Sequence, residues 1–241
     1  MKGVKEVVVE TQYEPDVVSK GELTDPDMAV SGEMTGAAAA HNVGLYGAGT
    51  RIAIIDTGLD LEHQSFDNDA FLHAIEEDMA EGKEINLLGE SEIAKVLTKL
   101  NAYKKNKSIT ADKLHYNDKI GYGFNYVDNN LNIDHLHDTQ EEHGSHVAGI
   151  AAANRYLKKG SEFVSAMDTV KVVGNAPDAQ VLIMKVFGAA GGAYDSDYMA
   201  AIEDAVMLGA DSVNLSLGSG NPGYSRNSDA AYAAILKDLE K

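Results

Sequence analysis

Apolar positions in this chain fall into short unbroken runs separated by stretches of longer period. Residues 52–55, 180–186 and 212–217 are runs of strand length rich in Ile, Val and Leu, and 120–127 is a further strand candidate. Between and after them the spacing turns helical, over about 143–154, 195–208 and 228–239. Unbroken apolar strands alternating with helices predict an α/β fold whose parallel sheet is covered on both faces. A further stretch, about 66–118, sets Ile85, Leu87, Leu88, Ile93, Val96, Leu97 and Leu100 at roughly helical spacing with Lys and Glu between them. It reads as a helical insertion between two strands. Residues 1–35 look acidic and loop-like, broken by Pro15 and Pro26, with Val7-Val8-Val9 as a short strand candidate. The chain thus divides into an N-terminal extension, 1–35, and one α/β unit over 36–241 that carries the insertion.

Composition narrows the partners. A length of 241 residues suffices for a substantial core, and 44% hydrophobic with 24% charged residues is ordinary for a globular protein. A net charge of −18 leaves no basic stripe to neutralise phosphates, which argues against nucleic acid and against docking on anionic membranes. The Lys104-Lys105-Asn106-Lys107 run reads as a solvated face. No apolar run is long enough for a transmembrane helix, and residues 1–16 lack the apolar centre of a signal peptide. The absence of Cys removes disulfides, thiolate metal sites and Cys nucleophiles together.

Candidate chemistry starts where the first strand stops. Asp56-Thr57-Gly58 closes the run 52–55, and in open parallel sheets functional groups gather beyond the carboxyl ends of strands. Alone, such an Asp would be a cap or turn former. Downstream, His143 opens the small-residue stretch Gly144-Ser145-His146-Val147-Ala148-Gly149-Ile150, followed by three alanines. A Gly inside a helix costs about 1 kcal/mol relative to Ala, which suggests a close backbone approach at Gly149 and a deeply buried helix. An Asp at a strand end paired with a His at a helix entrance can run proton transfer: the carboxylate holds Nδ1 and Nε2 exchanges the proton. His146 reads as structural packing.

Two other chemistries compete. Aspartic proteases also use Asp-Thr-Gly, but they need a second such carboxylate, and this chain has one. His135, His137, His143 and His146 lie close in sequence among Asp134, Asp138, Glu141 and Glu142, yet no His-Glu-x-x-His pattern is present and no metal is assigned. The run Asp128-Asn129-Asn130-Leu131-Asn132-Ile133-Asp134 has the rhythm of calcium ligands without the Gly and Glu of an EF-hand. It leaves room for a looser structural calcium ion, although a hydrated acidic loop accounts for the same residues.

Taken in order, the motifs resemble those of the subtilisin-like serine proteases, the subtilases, whose triad runs Asp, His, Ser along the chain. The stretch Arg51-Ile52-Ala53-Ile54-Ile55-Asp56-Thr57-Gly58-Leu59-Asp60 resembles the Asp motif, and His143 to Gly149 the His motif, with Ser145 where Thr is usual. Asn175-Ala176-Pro177 through Lys185-Val186-Phe187 resembles the strand leading to the substrate cleft, and Gly209 through Gly218 the strand bordering the specificity pocket. Lys119 through Asp128, Ala152-Ala153-Asn154 and the long separation of Asp from His resemble the cell-envelope proteases of Gram-positive bacteria, the lactocepins and C5a peptidases.

The resemblance implies a three-layer α/β/α domain, here its N-terminal portion only, acting on polypeptides from a secreted or cell-surface location. Asp56 would orient His143, Ser216, Leu217 and Gly218 would border the primary pocket, and Gly191 and Gly192 would form the opposite wall. Residues 1–16 would be the tail of a propeptide. No cofactor is implied for the chemistry. The family's Gly-Thr-Ser-Met-Ala type nucleophile motif and its oxyanion Asn have no counterpart here, and Ser216, Ser219, Ser225 and Ser228 all fail that motif. The 241 residues are therefore expected to be inactive alone and to self-associate through an exposed sheet edge. The alternative is a degenerate subtilase that binds peptides or a partner without cleaving them.

Overall fold

A computed structural model of the chain describes residues 10–15, 28–136, 138–139, 142–189, 191–218 and 230–239. The expected strand at Val7-Val8-Val9 lies outside the described residues, as do Ser219, Ser225 and Ser228. In chain order the elements are β1 (Gln12–Pro15), α1 (Met28–Thr35), α2 (Ala37–His41), β2 (Arg51–Asp56), α3 (Asn68–Ala80), α4 (Glu90–Val96), α5 (Asn101–Lys105) and α6 (Ala111–Leu114). They continue with β3 (Ile120–Asn125), α7 (His143–Ala152), β4 (Tyr156–Lys159), β5 (Glu162–Ser165), α8 (Ala166–Thr169) and β6 (Gln180–Lys185). The last are β7 (Ala193–Tyr194), α9 (Asp195–Met207), β8 (Ser212–Leu215), β9 (Leu217–Gly218) and α10 (Ala230–Leu239).

The central sheet is parallel with order β3-β6-β2-β8. β2, β3 and β6 are buried along most of their length because both faces are covered, with side chains alternating between two cores, whereas the edge strand β8 alternates polar and apolar residues and is partly exposed. Ala53 and Ile55 of β2, with Leu182 and Met184 of β6, pack toward α9, α10 and the helices between β2 and β3. Ile54, Val181 and Ile183 point the other way, against Ala148 and Ala152 of α7 and against Leu59 and Phe66, which follow β2 in the chain. Helices on both faces of a parallel sheet give the three-layer α/β/α architecture.

The segment between β2 and β3 is helical in pieces. Ile93, Leu100, Ala102 and Leu114 are buried in the α9-side core. Residues 83–89 depart from the helical expectation. There the buried Gln180 side chain accepts the Leu88 N–H at 2.6 Å and donates to the Leu88 carbonyl at 3.2 Å, holding that backbone extended as a strand neighbour would. Two further elements were not expected from the pattern: α1, within the stretch read as loop, and the β4–β5 hairpin. The Gly160-Ser161 turn of that hairpin, with Gly160 at φ 63°, is a recognisable hairpin signal.

The short helix α5 is docked by one carboxylate. Asp204 on α9, fully buried, accepts the N–H groups of Asn101 at 2.6 Å and Ala102 at 2.9 Å, and the Tyr126 hydroxyl at 2.9 Å. First-turn N–H groups have no partner inside their own helix, so a carboxylate from a neighbouring helix serves as their cap. Burial pushes the Asp204 carboxyl up to about 6 from an ordinary 3.8, against the lowering pull of its three donors.

Replacing Asp204 with Ala leaves those donors buried without an acceptor, and is expected to lower unfolding free energy by about 2–4 kcal/mol in urea titrations. Because the folded-state pKa is the higher one, the contribution of this carboxyl to stability is largest below pH 4 and is lost as pH rises through about 6. The wild-type chain should therefore gain stability relative to Asp204→Asn on going from pH 7 to pH 4.

Candidate active site

Asp56 is the last residue of β2 and is buried. Its Oδ1 accepts the Thr57 N–H at 2.7 Å and lies 2.7 Å from Nδ1 of His143, the first residue of α7, although the two are 87 positions apart in sequence. Where the carboxylate is ionised it can only accept, and the proton of this bond is then on Nδ1 of the ring. Burial of both groups keeps water from competing for the bond.

Backbone contacts hold the pair. Thr57 Oγ1 accepts the Gly144 N–H at 2.9 Å, which ties the first turn of α7 to the end of β2. A Cβ at Gly144 would overlap the Gly58 carbonyl oxygen, and one at Gly58, whose φ is 117°, would overlap the Ile133 carbonyl. Two glycines thus let three stretches of main chain meet. The close approach expected at Gly149 is instead at Gly144; around Gly149 there is open space.

A further ring of polar contacts surrounds this core. Lys185, buried at the end of β6, donates to the Thr57 carbonyl and pairs with Asp138. Ser145 Oγ accepts the Asp60 N–H at 2.7 Å and sits 2.7 Å from Nε2 of His135. The histidines that cluster in sequence are dispersed in space: His143 meets Asp56, His135 meets Ser145, and His146 is exposed rather than packed. His137 and Glu141 lie outside the described residues, among which no group of three His, Asp or Glu side chains could hold a metal ion. Lys185 was not anticipated, although a Lys ending a fully buried strand must find partners and could have been flagged on that ground.

The two strands flanking β2 lead into a second sheet of three strands, β7-β1-β9. β6 leads through Gly191 and Gly192, at φ 96° and 81°, into β7. β8 leads through Ser216 into β9, which contains Leu217 and Gly218. Ser216 Oγ donates to Asn214 Oδ1 at 2.9 Å. Between β7 and β9 lies β1, antiparallel to both, with Gln12 and Tyr13 opposite Tyr194 and Ala193, and Glu14 and Pro15 opposite Gly218 and Leu217. Gly192 abuts the Gln12 side chain, which a Cβ there would overlap. Tyr13 is buried edge-on against Tyr198, ring centroids 5.3 Å apart. Leu217 and Gly218 thus pair with β1, Gly192 abuts it, and Gly191 and Ser216 precede the strands on either side. β1 itself was not anticipated.

The two α7 glycines should respond oppositely to the same substitution. Gly144→Ala forces β2 and α7 apart and is expected to cost about 2–4 kcal/mol in denaturant unfolding, with loss of the His143–Asp56 contact. Gly149→Ala has room and gains helix propensity, so it should stabilise by roughly 0.5–1 kcal/mol.

Comparison with known proteins identifies the family. A sequence model described as the subtilase family, Peptidase_S8, matches residues 47–239. The PI-type proteinase of Lactococcus lactis subsp. cremoris is 35% identical over 194 residues, covering 78% of this chain and 8% of that protein. The PII-type proteinase of Lacticaseibacillus paracasei is 35% identical over 193 residues, again 78% of this chain and 8% of that protein. A C5a peptidase of Streptococcus pyogenes serotype M3 is 30% identical over 200 residues, 81% of this chain and 13% of its own length. The chain therefore spans a small part of these relatives, and over that part it belongs to the subtilase family.

Proposed function

We propose that this chain supplies the Asp and His of a serine endopeptidase acting on extended polypeptides. The observation that carries the reading is the buried 2.7 Å contact between Asp56 and His143, in a chain whose own β1 is held as the middle strand between β7 and β9. Asp56 holds the imidazole tautomer and stabilises its cation, while His143 takes the nucleophile's proton and returns it to the leaving amine. Main-chain pairing with β7 and β9, the walls of the proposed groove, provides affinity for any extended segment, and pockets for side chains provide selection. Ser216, Leu217 and Gly218 form one wall of this substrate site, and Gly191 and Gly192 lead into the other.

In this reading residues 1–16 are the tail of a propeptide, and β1 within it lies where a substrate strand would lie. Neither a nucleophile motif nor an oxyanion Asn can be assigned within the 241 residues, and removing the nucleophile of a serine protease lowers kcat by roughly a million-fold. The relatives' names support a proteinase as the whole protein, and we propose a secreted or cell-surface location for it. The groove filled by β1 also favours a second reading, a subtilase that binds peptides without cleaving them.

The 241-residue chain is expected to leave casein intact; hydrolysis abolished by His143→Ala would contradict the assignment of the nucleophile elsewhere. The protein isolated from its source should react with a serine-directed phosphonate at a serine outside these residues. Its failure to react would favour the binding reading. The outer side of β8, with Leu215 exposed, has no strand partner among the described residues. We propose that it pairs with a second copy; a monomer at all concentrations in light scattering would contradict this.

A further inference from the structure

The groove extends past the aromatic anchor Tyr13, and its far end is built from the start of α9. Asp195 Oδ2 accepts the main-chain N–H of Thr11 at 2.5 Å, and the Ser196 N–H donates to Glu10 Oε1 at 3.2 Å. The two contacts are reciprocal. A helix carboxylate takes the peptide's N–H, and a first-turn N–H of the helix takes the peptide's carboxylate, where the helix dipole also favours negative charge. Asp197, next along, is paired by Lys105 of α5 at 2.7 Å, so the incoming Glu10 meets a carboxylate that already has a cation on it.

We propose that Asp195 is a specificity-determining residue for extended peptides. It fixes the main chain two positions before the buried aromatic residue, excludes proline there, and with Ser196 favours an acceptor side chain such as Glu one position earlier. This rests on the reading of the groove as a peptide site. It lengthens the recognised segment to residues 10–15 and makes α9, braced by α5, part of substrate selection.

The test is hydrogen exchange of residues 10–15 in the full 241-residue chain, comparing wild type with Asp195→Ala, Asp195→Asn, Thr11→Pro and the Asp195→Ala/Thr11→Pro double variant. Loss of a hydrogen bond to a charged group is worth about a tenfold or greater loss of protection. Asp195→Ala and Thr11→Pro should each lose that much in β1, the double variant no more than either, and Asp195→Asn should retain most of it. The amides of β6 should stay protected throughout. Unchanged β1 protection in Asp195→Ala and Thr11→Pro overturns the proposal while leaving the occupied groove intact. If Asp195→Ala also exposes β6, Thr11→Pro, which lies outside the central sheet, decides alone. Random-coil exchange of β1 in the wild type would instead overturn the groove reading itself, and the proposal with it.

Discussion

Everything at this site depends on three stretches of backbone touching where β2 ends. Gly58 lies against the Ile133 carbonyl, Gly144 lies against the Gly58 carbonyl, and Thr57 Oγ1 accepts the Gly144 N–H. Only residues without a Cβ allow that spacing, and Gly58 also sits at a φ that other residues rarely adopt. The contact places the first residue of α7 beside the last residue of β2. A buried carboxylate that would otherwise be desolvated without compensation then gains the Thr57 and His143 N–H donors.

The sheet β7-β1-β9 follows from the central one. β6 and β8 flank β2, so the chain leaving their carboxyl ends continues on either side of β2 into β7 and β9. The helical segment between β2 and β3 is not a detached ornament. Asp204 caps α5 from α9, and Lys105 pairs with Asp197 two residues into the same helix. The wall that begins at β7 is therefore braced from behind by residues far away in sequence.

Much of this is legible in the residues, for identifiable reasons. The stretches 52–55 and 181–184 announce a doubly covered sheet because apolar residues follow one another without alternation, and Asp56 and His143 stand out as polar groups at the ends of apolar elements. β1 was not legible. Gln12-Tyr13-Glu14-Pro15 has no strand period of its own, and its pairing with Ala193–Tyr194 and Leu217–Gly218 is wholly non-local. Leu88 misled for a similar reason, since its helical spacing is overridden by the side chain of Gln180. Lys185 and Ser145 take on their roles only once Asp138 and His135 are folded against them.

The most direct test of the account is nitrogen NMR of the His143 ring in the intact chain, at a pH where the ring is neutral. Asp56 as orienting carboxylate requires the proton on Nδ1, with a shift to the other tautomer in Asp56→Asn, whose amide can donate to that nitrogen. A wild-type ring protonated on Nε2, unaffected by Asp56→Asn, would contradict the pairing on which the proposed chemistry stands.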